Sequence, residues 1–218
     1  MARTPKAKPA PSTLVLLVRH GQTPTTGKVL PGRAKGLHLA DAGVEQANGV
    51  AERIAPFGER VAAVYASPLE RTRETAAPIA KALGRRVVAA RGLLEADFGD
   101  WTGAELKALA KLPEWGTVQR APSTFRFPGG ESFAEMQLRI CSALGTIVAA
   151  HPGEVVVAVS HADPIKAAVA QAMGTHLDLF QRIVVSPCSV TAVAFTAGGP
   201  LVLCVNSTGR DLTGLAPS

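Results

Sequence analysis

The chain has 218 residues, of which 47% are hydrophobic, and a formal net charge of +6. This length suits one α/β domain with a sizeable core, and neither an internal repeat nor a linker divides the chain. No apolar run approaches the ~20 residues that span a membrane, so we expect a cytoplasmic protein without a membrane partner. The three cysteines, Cys141, Cys188 and Cys204, are widely spaced and odd in number, which is typical of reduced core residues.

Residues 1–13 differ in composition from the rest of the chain. They include Arg3, Lys6 and Lys8, three prolines and no acidic residue, and they carry half of the net charge. This composition predicts a disordered basic tail and not a secretory signal. Such a tail offers nucleic acid only weak, salt-sensitive contacts, so we expect no obligatory nucleic-acid partner. We predict one folded domain over residues 14–210 and a C-terminal tail over residues 211–218.

The first predicted strand ends at two residues suited to phosphate chemistry. Leu14 to Val18 is a continuous apolar run, as in a strand buried on both faces, and Arg19 and His20 follow it directly. Arginine offers phosphate oxygens a planar charged fork, whereas histidine is a base and a nucleophile near neutral pH. The pair points to phosphoryl transfer, although a histidine after a strand is also commonly an ordinary loop residue.

Strands and helices alternate along the rest of the chain. Apolar patterning predicts helices at residues 41–57, 68–83 and 132–150, with strands near residues 61–65, 86–90, 155–159, 189–195 and 201–206. Ser67 and Ser132 each precede a glutamate by three residues and predict capping boxes, and Asp163 predicts the N-cap of another helix. The alternation predicts a three-layer α/β/α sandwich with a mostly parallel central sheet and a functional site at the carboxyl ends of its strands.

Two further strand ends offer phosphate-binding groups. Arg71 lies in the first turn of the helix that follows the strand at residues 61–65. His161 follows the strand at residues 155–159 and begins a helix, where free backbone N–H groups favour an anion. We therefore expect three strand ends to supply one anion site.

Six motifs, taken together and in order, are similar to those of the histidine phosphatase superfamily, which includes phosphoglycerate mutases and broad-specificity phosphatases. An Arg-His-Gly triplet alone would be a weak signal, but the ordered set spans roughly residues 14–207. The resemblance implies a phosphoglycerate mutase-like fold. The motifs lie at residues 17–23, 36–47, 67–72, 94–103, 128–132 and 159–161.

The resemblance also implies a role for five residues. His20 matches the nucleophile that carries a transient phosphohistidine. Arg19, Arg71 and His161 match the clamp that neutralises the phosphoryl oxygens in the transition state. Glu95 matches the acid that protonates the leaving oxygen and then, once ionised, activates water.

This double role of Glu95 requires a raised pKa. Its apolar sequence neighbours Leu93, Leu94 and Phe98 are expected to raise the pKa by disfavouring the charged form. Alternatively, Glu95 is an ordinary surface acid. The similarity of residues 99–103 to the family motif argues against this alternative.

Segment 98–131 is predicted to cover the site as a substrate lid. Within it, Lys107 and Lys111 share a helix face and either grip a second anionic group or form an ordinary solvated face. Asp163 has three candidate roles: a helix cap, a substrate contact or an auxiliary acid, of which the cap is the simplest. The residues predicted to contact substrate, besides Arg19 and Arg71, are Gln22, Thr23, Thr26, Arg33, Glu131, Ala162 and Asp163.

Departures from the family pattern narrow the expected function. Thr26 stands where relatives often have asparagine, and the long charged insertion of glycolytic mutases is missing. We therefore expect a phosphomonoester hydrolase for a small phosphorylated metabolite, with no cofactor and no metal. A phosphomutase is the main alternative, and a non-catalytic phospho-ligand-binding or regulatory protein is a weaker one. The sequence leaves open whether the protein is a homodimer.

Overall fold

A computed structural model describes residues 11–209 of the chain. Most of the predicted N-terminal tail and the whole predicted C-terminal tail lie outside these residues. The first strand already begins at Thr13, one residue inside the predicted tail.

Six strands form one sheet in the spatial order β3-β2-β4-β1-β5-β6. Strands β3, β2, β4 and β1 are parallel to one another, and β5 and β6 add an antiparallel hairpin beside β1. The predicted, mostly parallel sheet is therefore confirmed over four of its strands. The strands are β1 (Thr13–Arg19), β2 (Val61–Ala66), β3 (Val87–Ala89), β4 (Val155–Ser160), β5 (Val190–Thr196) and β6 (Gly199–Ser207).

The helices cover both faces of this sheet. Successive side chains of a strand point to opposite faces, so Val15 and Leu17 enter one core while Leu14, Leu16 and Val18 enter the other. Helices α5 and α6 pack into the first core, and α1 and α2 pack into the second. The predicted three-layer α/β/α sandwich is confirmed. The helices are α1 (Asp41–Ile54), α2 (Glu70–Ala82), α3 (Leu106–Leu109), α4 (Trp115–Arg120), α5 (Phe133–Ala150) and α6 (Ala162–Ala172).

Two of the three predicted N-caps are wrong. Ser132 caps α5 in the full capping box with Glu135, as expected. Helix α2 instead begins after Leu69 with no side-chain cap, and α6 has His161 at its N-cap position, also with no side-chain cap. The side chains of Ser67 and Asp163 have other partners, His161 and Lys166 respectively. The contact of Ser67 with His161 is long-range, and the contact of Asp163 with Lys166 lies in the cleft described below. Neither is the N-cap hydrogen bond that the spacing predicts.

Helix α5 is 18 residues long and apolar enough to reach the length and hydropathy of a membrane-spanning helix. Its apolar residues, however, follow a helical period. Phe133, Met136 and Ile140 are buried together in the core against the sheet. This is the placement of a core helix in an α/β layer.

Candidate active site

The register of the parallel strands brings the two motif histidines together. Arg19 of β1 pairs with Ser160 of β4, so His20 and His161 occupy the next position on each strand end. Their ring centroids lie 5.2 Å apart, with the planes at 63°. Both rings are buried, which places two titratable nitrogen bases side by side at the carboxyl edge of the sheet.

His20 is held with one ring nitrogen free. Its Nδ1 lies 2.7 Å from the carbonyl oxygen of Gly21, and because a carbonyl only accepts hydrogen bonds, Nδ1 carries the proton. Nε2 then keeps its lone pair. Burial, followed by the charge of Arg71, lowers the pKa of His20 to about 3. The imidazole is therefore neutral near pH 7, which is the form that a nucleophile requires.

The loop that carries His20 is packed against α1 and α2 at close range. A Cβ on Gly21 would lie 2.5 Å from the carbonyl oxygen of Gly43 in α1, so only glycine fits there. The Gly21 N–H donates to Thr75 Oγ1 at 3.0 Å, and Thr75 in turn donates to the Arg71 carbonyl at 2.7 Å. The nucleophile and the Arg71 backbone are thus joined through one threonine.

Two buried residues, Arg71 and His161, and the partly buried Arg19 surround His20 with unused hydrogen-bonding atoms. Arg71 is fully buried and donates through Nη2 to the Gly32 carbonyl at 2.8 Å, and Arg19 donates through Nη1 to the Val185 carbonyl at 2.7 Å. Within residues 11–209, Nε and Nη1 of Arg71, Nε of Arg19 and Nδ1 of His161 have no partner. Buried polar atoms are normally paired, so these atoms are suited to an anionic ligand.

His161 is oriented by Ser67. The hydroxyl of Ser67 lies 2.9 Å from His161 Nε2, and the Ser67 N–H donates to the carbonyl of Val159 in β4 at 3.0 Å. This pairing explains why Ser67 does not cap α2. It leaves Nδ1 of His161 as the ring nitrogen without a protein partner among the described residues, 3.9 Å from Glu95 Oε2.

Glu95 has the raised pKa that an acid and base of this kind needs. The residue is only 7% exposed, and its Oε1 accepts from the Ala96 N–H at 3.0 Å. Burial is the largest cause that raises its pKa, to about 7, and the charge of Asp163 is the second, while Arg71 opposes them. Leu93 and Leu94 are themselves buried, and the contribution of Asp163 to the pKa of Glu95 is not apparent from the sequence.

An ion-pair network binds the backbone carbonyl of Glu95. Arg33 donates to the Glu95 carbonyl at 2.9 Å, and Arg139 donates to it at 3.2 Å. Glu131 binds both arginines, at 3.0 Å from Arg33 and 2.8 Å from Arg139. Asp97 completes the network with a contact of 3.2 Å to Arg33. The structure therefore places Arg33 and Glu131, both predicted to contact substrate, in support of the acid and outside the lining of the cleft.

A cleft of about 330 Å³ opens over His20 and Glu95. Arg19, His20, Glu95 and the predicted substrate contacts Thr23, Thr26, Ala162 and Asp163 all lie along it. Gln22 is exposed and does not line the cleft. The remaining lining residues include Val29, Leu30, Pro31, Phe98, Leu106, Trp115, Gln119, Lys166 and Gln181.

Segment 98–131 supplies one apolar wall of the cleft through Phe98, Leu106 and Trp115. An aromatic cluster anchors this wall, with Trp101 5.4 Å from Phe125 and 6.3 Å from Trp115 between ring centroids. Lys107 and Lys111 are exposed and do not line the cleft.

Sequence reasoning missed Lys166 and Gln181. Lys166 lies five residues after His161, one turn beyond Asp163 on α6, and this spacing places both charged groups on one helix face. Gln181 lies in a short 3-10 segment, Leu177–Arg182, and no local pattern marked it.

Comparison with known proteins identifies relatives of this arrangement. The chain is 33% identical to a bifunctional protein of Mycobacterium tuberculosis over 90% of its own length and 54% of that protein's, so it spans about half the length of that relative. It is 29% identical to phosphoserine phosphatase 1 of Hydrogenobacter thermophilus, covering 89% of this chain and 92% of the relative.

A solved phosphoserine phosphatase mutant of Entamoeba histolytica, in complex with phosphoserine, superposes with a TM-score of 0.82 at 26% identity. The match covers 92% of this chain and all of the other. A family model for branch 1 of the histidine phosphatase superfamily matches residues 15–208, where His20, Arg71, Glu95 and His161 all lie. The chain therefore belongs to the histidine phosphatase superfamily.

Proposed function

We propose that the chain is a phosphomonoester hydrolase that works through a phosphohistidine on Nε2 of His20. One observation carries this proposal: a buried, neutral His20 has Nδ1 bound to the Gly21 carbonyl and Nε2 free, beside buried arginine atoms that have no partner among residues 11–209. A binding protein for phosphate would need the arginines but not a histidine held in its nucleophilic form.

In the first half-reaction, Nε2 of His20 attacks phosphorus and the bond from phosphorus to the leaving oxygen breaks. Arg19, Arg71 and His161 donate hydrogen bonds to the non-bridging oxygens as charge shifts onto them. Glu95, with a pKa of about 7, is largely protonated below pH 7 and gives its proton to the leaving oxygen. The products are an alcohol and phosphorylated His20.

In the second half-reaction, water attacks the phosphohistidine. Glu95 is now a carboxylate and takes a proton from the attacking water, so its charge state returns to that of the first step. The bond between phosphorus and Nε2 breaks and the electron pair returns to His20. Inorganic phosphate leaves, and the neutral imidazole is restored.

The same groups support a metal-independent reaction on a small substrate. Arginine charge supplies the electrophilic assistance that a metal ion would otherwise give, since Arg19 lines the cleft and Arg71 is close enough to His20 to lower its pKa. A cleft of about 330 Å³ suits a small phosphorylated metabolite. Relatives named as phosphoserine phosphatases support this substrate size.

Rapid-quench labelling tests the proposal. With a phosphomonoester carrying labelled phosphorus, we expect an acid-labile, base-stable label on the wild-type protein and on a control variant, His176→Ala, whose histidine is exposed. The His20→Ala protein should show neither label nor turnover. Continued turnover by His20→Ala would overturn the proposal, and recovery of the phosphoryl group on an added alcohol instead of water would assign a mutase.

A further inference from the structure

Lys166 presents a second charge in the cleft that the proposed reaction does not use. Its Nζ lies 3.2 Å from Asp163 Oδ1 and 3.2 Å from Gln181 Oε1. The side chains of Lys166 and Asp163 are only 17% and 20% exposed, and Nζ lies 5.8 Å from the centre of the Phe180 ring. The ammonium is therefore fixed in place, which is unusual for a lysine on a solvated helix face.

In the part of the chain that the structure describes, the Lys166–Asp163 pair has one unused donor and one unused acceptor. An ammonium donates three hydrogen bonds, and the carboxylate of Asp163 and the amide of Gln181 use two of them. Asp163 Oδ1 accepts from Lys166, while Oδ2 has no hydrogen-bond partner within residues 11–209. Both residues line the cleft, so the unused donor and acceptor are available side by side to a bound molecule.

The charge of this pair selects the chemistry of its ligand. Lys166 and Asp163 neutralise each other, so together they do not favour a molecule with further net charge. They instead complement a group with adjacent opposite charges, in which a carboxylate meets Lys166 and an ammonium meets Asp163. An α-amino acid carries these two charges on neighbouring atoms of one carbon.

Part of the cleft lining is apolar. Phe98, Leu106 and Trp115 contribute this surface and carry no charge. A charged leaving group turned toward them would lose its hydration without compensation. Its polar groups therefore face Asp163, Lys166 and Gln181.

We propose that Lys166 and Asp163 form the leaving-group subsite of the enzyme and select a phosphorylated α-amino acid. Lys166 Nζ donates to the α-carboxylate, Asp163 accepts from the α-ammonium, and Gln181 holds Lys166 in place. This assignment rests on the proposed hydrolase function.

Four phosphomonoesters test the carboxylate and the ammonium of the leaving group one at a time. O-phosphoserine carries both, phosphoethanolamine carries only the ammonium, 3-phosphoglycerate carries only the carboxylate, and glycerol 3-phosphate carries neither. We expect the wild-type kcat/KM to be highest on O-phosphoserine, by about tenfold or more over each of the others, because each charged contact contributes a factor of this order.

The variant Lys166→Met should lose about tenfold or more in kcat/KM on the two carboxylate substrates relative to its kcat/KM on the two substrates that lack a carboxylate. Lys107→Met, at an exposed lysine outside the cleft, should match wild type on all four. Should Lys166→Met fold poorly, calorimetry with the His20→Ala protein replaces it. That protein should bind O-phosphoserine about tenfold or more tightly than phosphoethanolamine.

Three results would overturn the subsite. They are equal wild-type kcat/KM on the four substrates, equal losses on all four in Lys166→Met, and equal affinity of the His20→Ala protein for O-phosphoserine and phosphoethanolamine. In each of these cases, a phosphohistidine formed on His20 of the wild-type protein from an aryl phosphate would still support the hydrolase function. Absence of any labelling or phosphate release, by contrast, would remove the hydrolase function and the subsite with it.

Discussion

Asp163 acts on Glu95 through its charge. The two carboxyl groups belong to different elements, the loop after the 3-10 segment Arg91–Leu93 and the first turn of α6. Burial of Glu95 is the larger cause of its raised pKa, and the negative charge of Asp163 adds to it because a like charge disfavours ionisation. Lys166 Nζ lies 3.2 Å from Asp163 Oδ1. One carboxyl group thus raises the pKa of another that lies on a different element of the fold.

The pH profile of Asp163→Asn follows from this relationship. Glu95 must be protonated in the first step, so activity falls as the pH rises through its pKa of about 7. Removing the negative charge of Asp163 favours the ionised form of Glu95 and lowers this pKa. We expect the basic limb of kcat/KM on glycerol 3-phosphate to move to lower pH in Asp163→Asn.

Asp41→Asn is the control for that profile, because Asp41 is exposed on α1 away from the cleft. Its basic limb should coincide with that of wild type. An unmoved limb in Asp163→Asn, or a limb displaced to higher pH, would show that Asp163 does not set the pKa of Glu95.

Glu95→Gln should depend strongly on the leaving group. The amide cannot protonate an alkoxide, so hydrolysis of alkyl phosphates should fall by about a hundredfold to ten-thousandfold. An activated aryl phosphate needs little protonation, so its first step should be nearly retained. Labelled phosphohistidine should then accumulate, because the base for the second step is also missing. Rapid-quench measurements on both kinds of substrate check this, and equal losses on both would exclude Glu95 as the proton donor.

Glu131→Gln should weaken catalysis without removing a group that touches substrate. Glu131 binds Arg33 and Arg139, and each of these donates to the Glu95 carbonyl. We expect a loss of about 2 kcal/mol in the free energy of unfolding, because partly buried Arg139 loses its ion pair with Glu131 and Arg33 keeps only its pair with Asp97. The fall in kcat should be larger on alkyl than on aryl phosphates, since Glu131 acts through the acid.

Glu135→Gln is the matched control for Glu131→Gln. Glu135 belongs to the capping box of α5 and pairs with exposed Arg126, so its loss affects stability alone. The ratio of alkyl to aryl rates should stay at the wild-type value. If Glu131→Gln lowers the alkyl and aryl phosphate rates by the same factor, the role of Glu131 is structural only.

Anion and chelator sensitivity test the arginine clamp. Vanadate should inhibit by occupying the site of Arg19, Arg71 and His161, and Arg71→Ala should lose about 3 kcal/mol of transition-state stabilisation, or over a hundredfold in rate. Arg71→Lys should not restore the rate, since an ammonium cannot reproduce the planar fork.

Chelators should leave steady-state activity unchanged. Loss of activity in a chelator, followed by recovery with a divalent ion, would contradict the arginine-based mechanism.

Local and periodic features of the sequence determined the sheet and the position of the two histidines. A continuous apolar run such as Leu14 to Val18 can be buried on both faces only inside a layered sheet, and the carboxyl ends of parallel strands meet at one edge. His20 and His161 each follow such a run, so their meeting follows from the pattern. The capping box of Ser132 was equally local, because its partners lie within one turn.

Tertiary structure decided the roles of Ser67, Asp163 and Glu131. Packing brings Ser67 to His161, Asp163 within range of Glu95, and Glu131 to Arg33. The free energy of a polar group depends on the distance to charges and on its burial, and both are set by chain segments far away in sequence. These quantities exist only once the helices have packed onto the sheet.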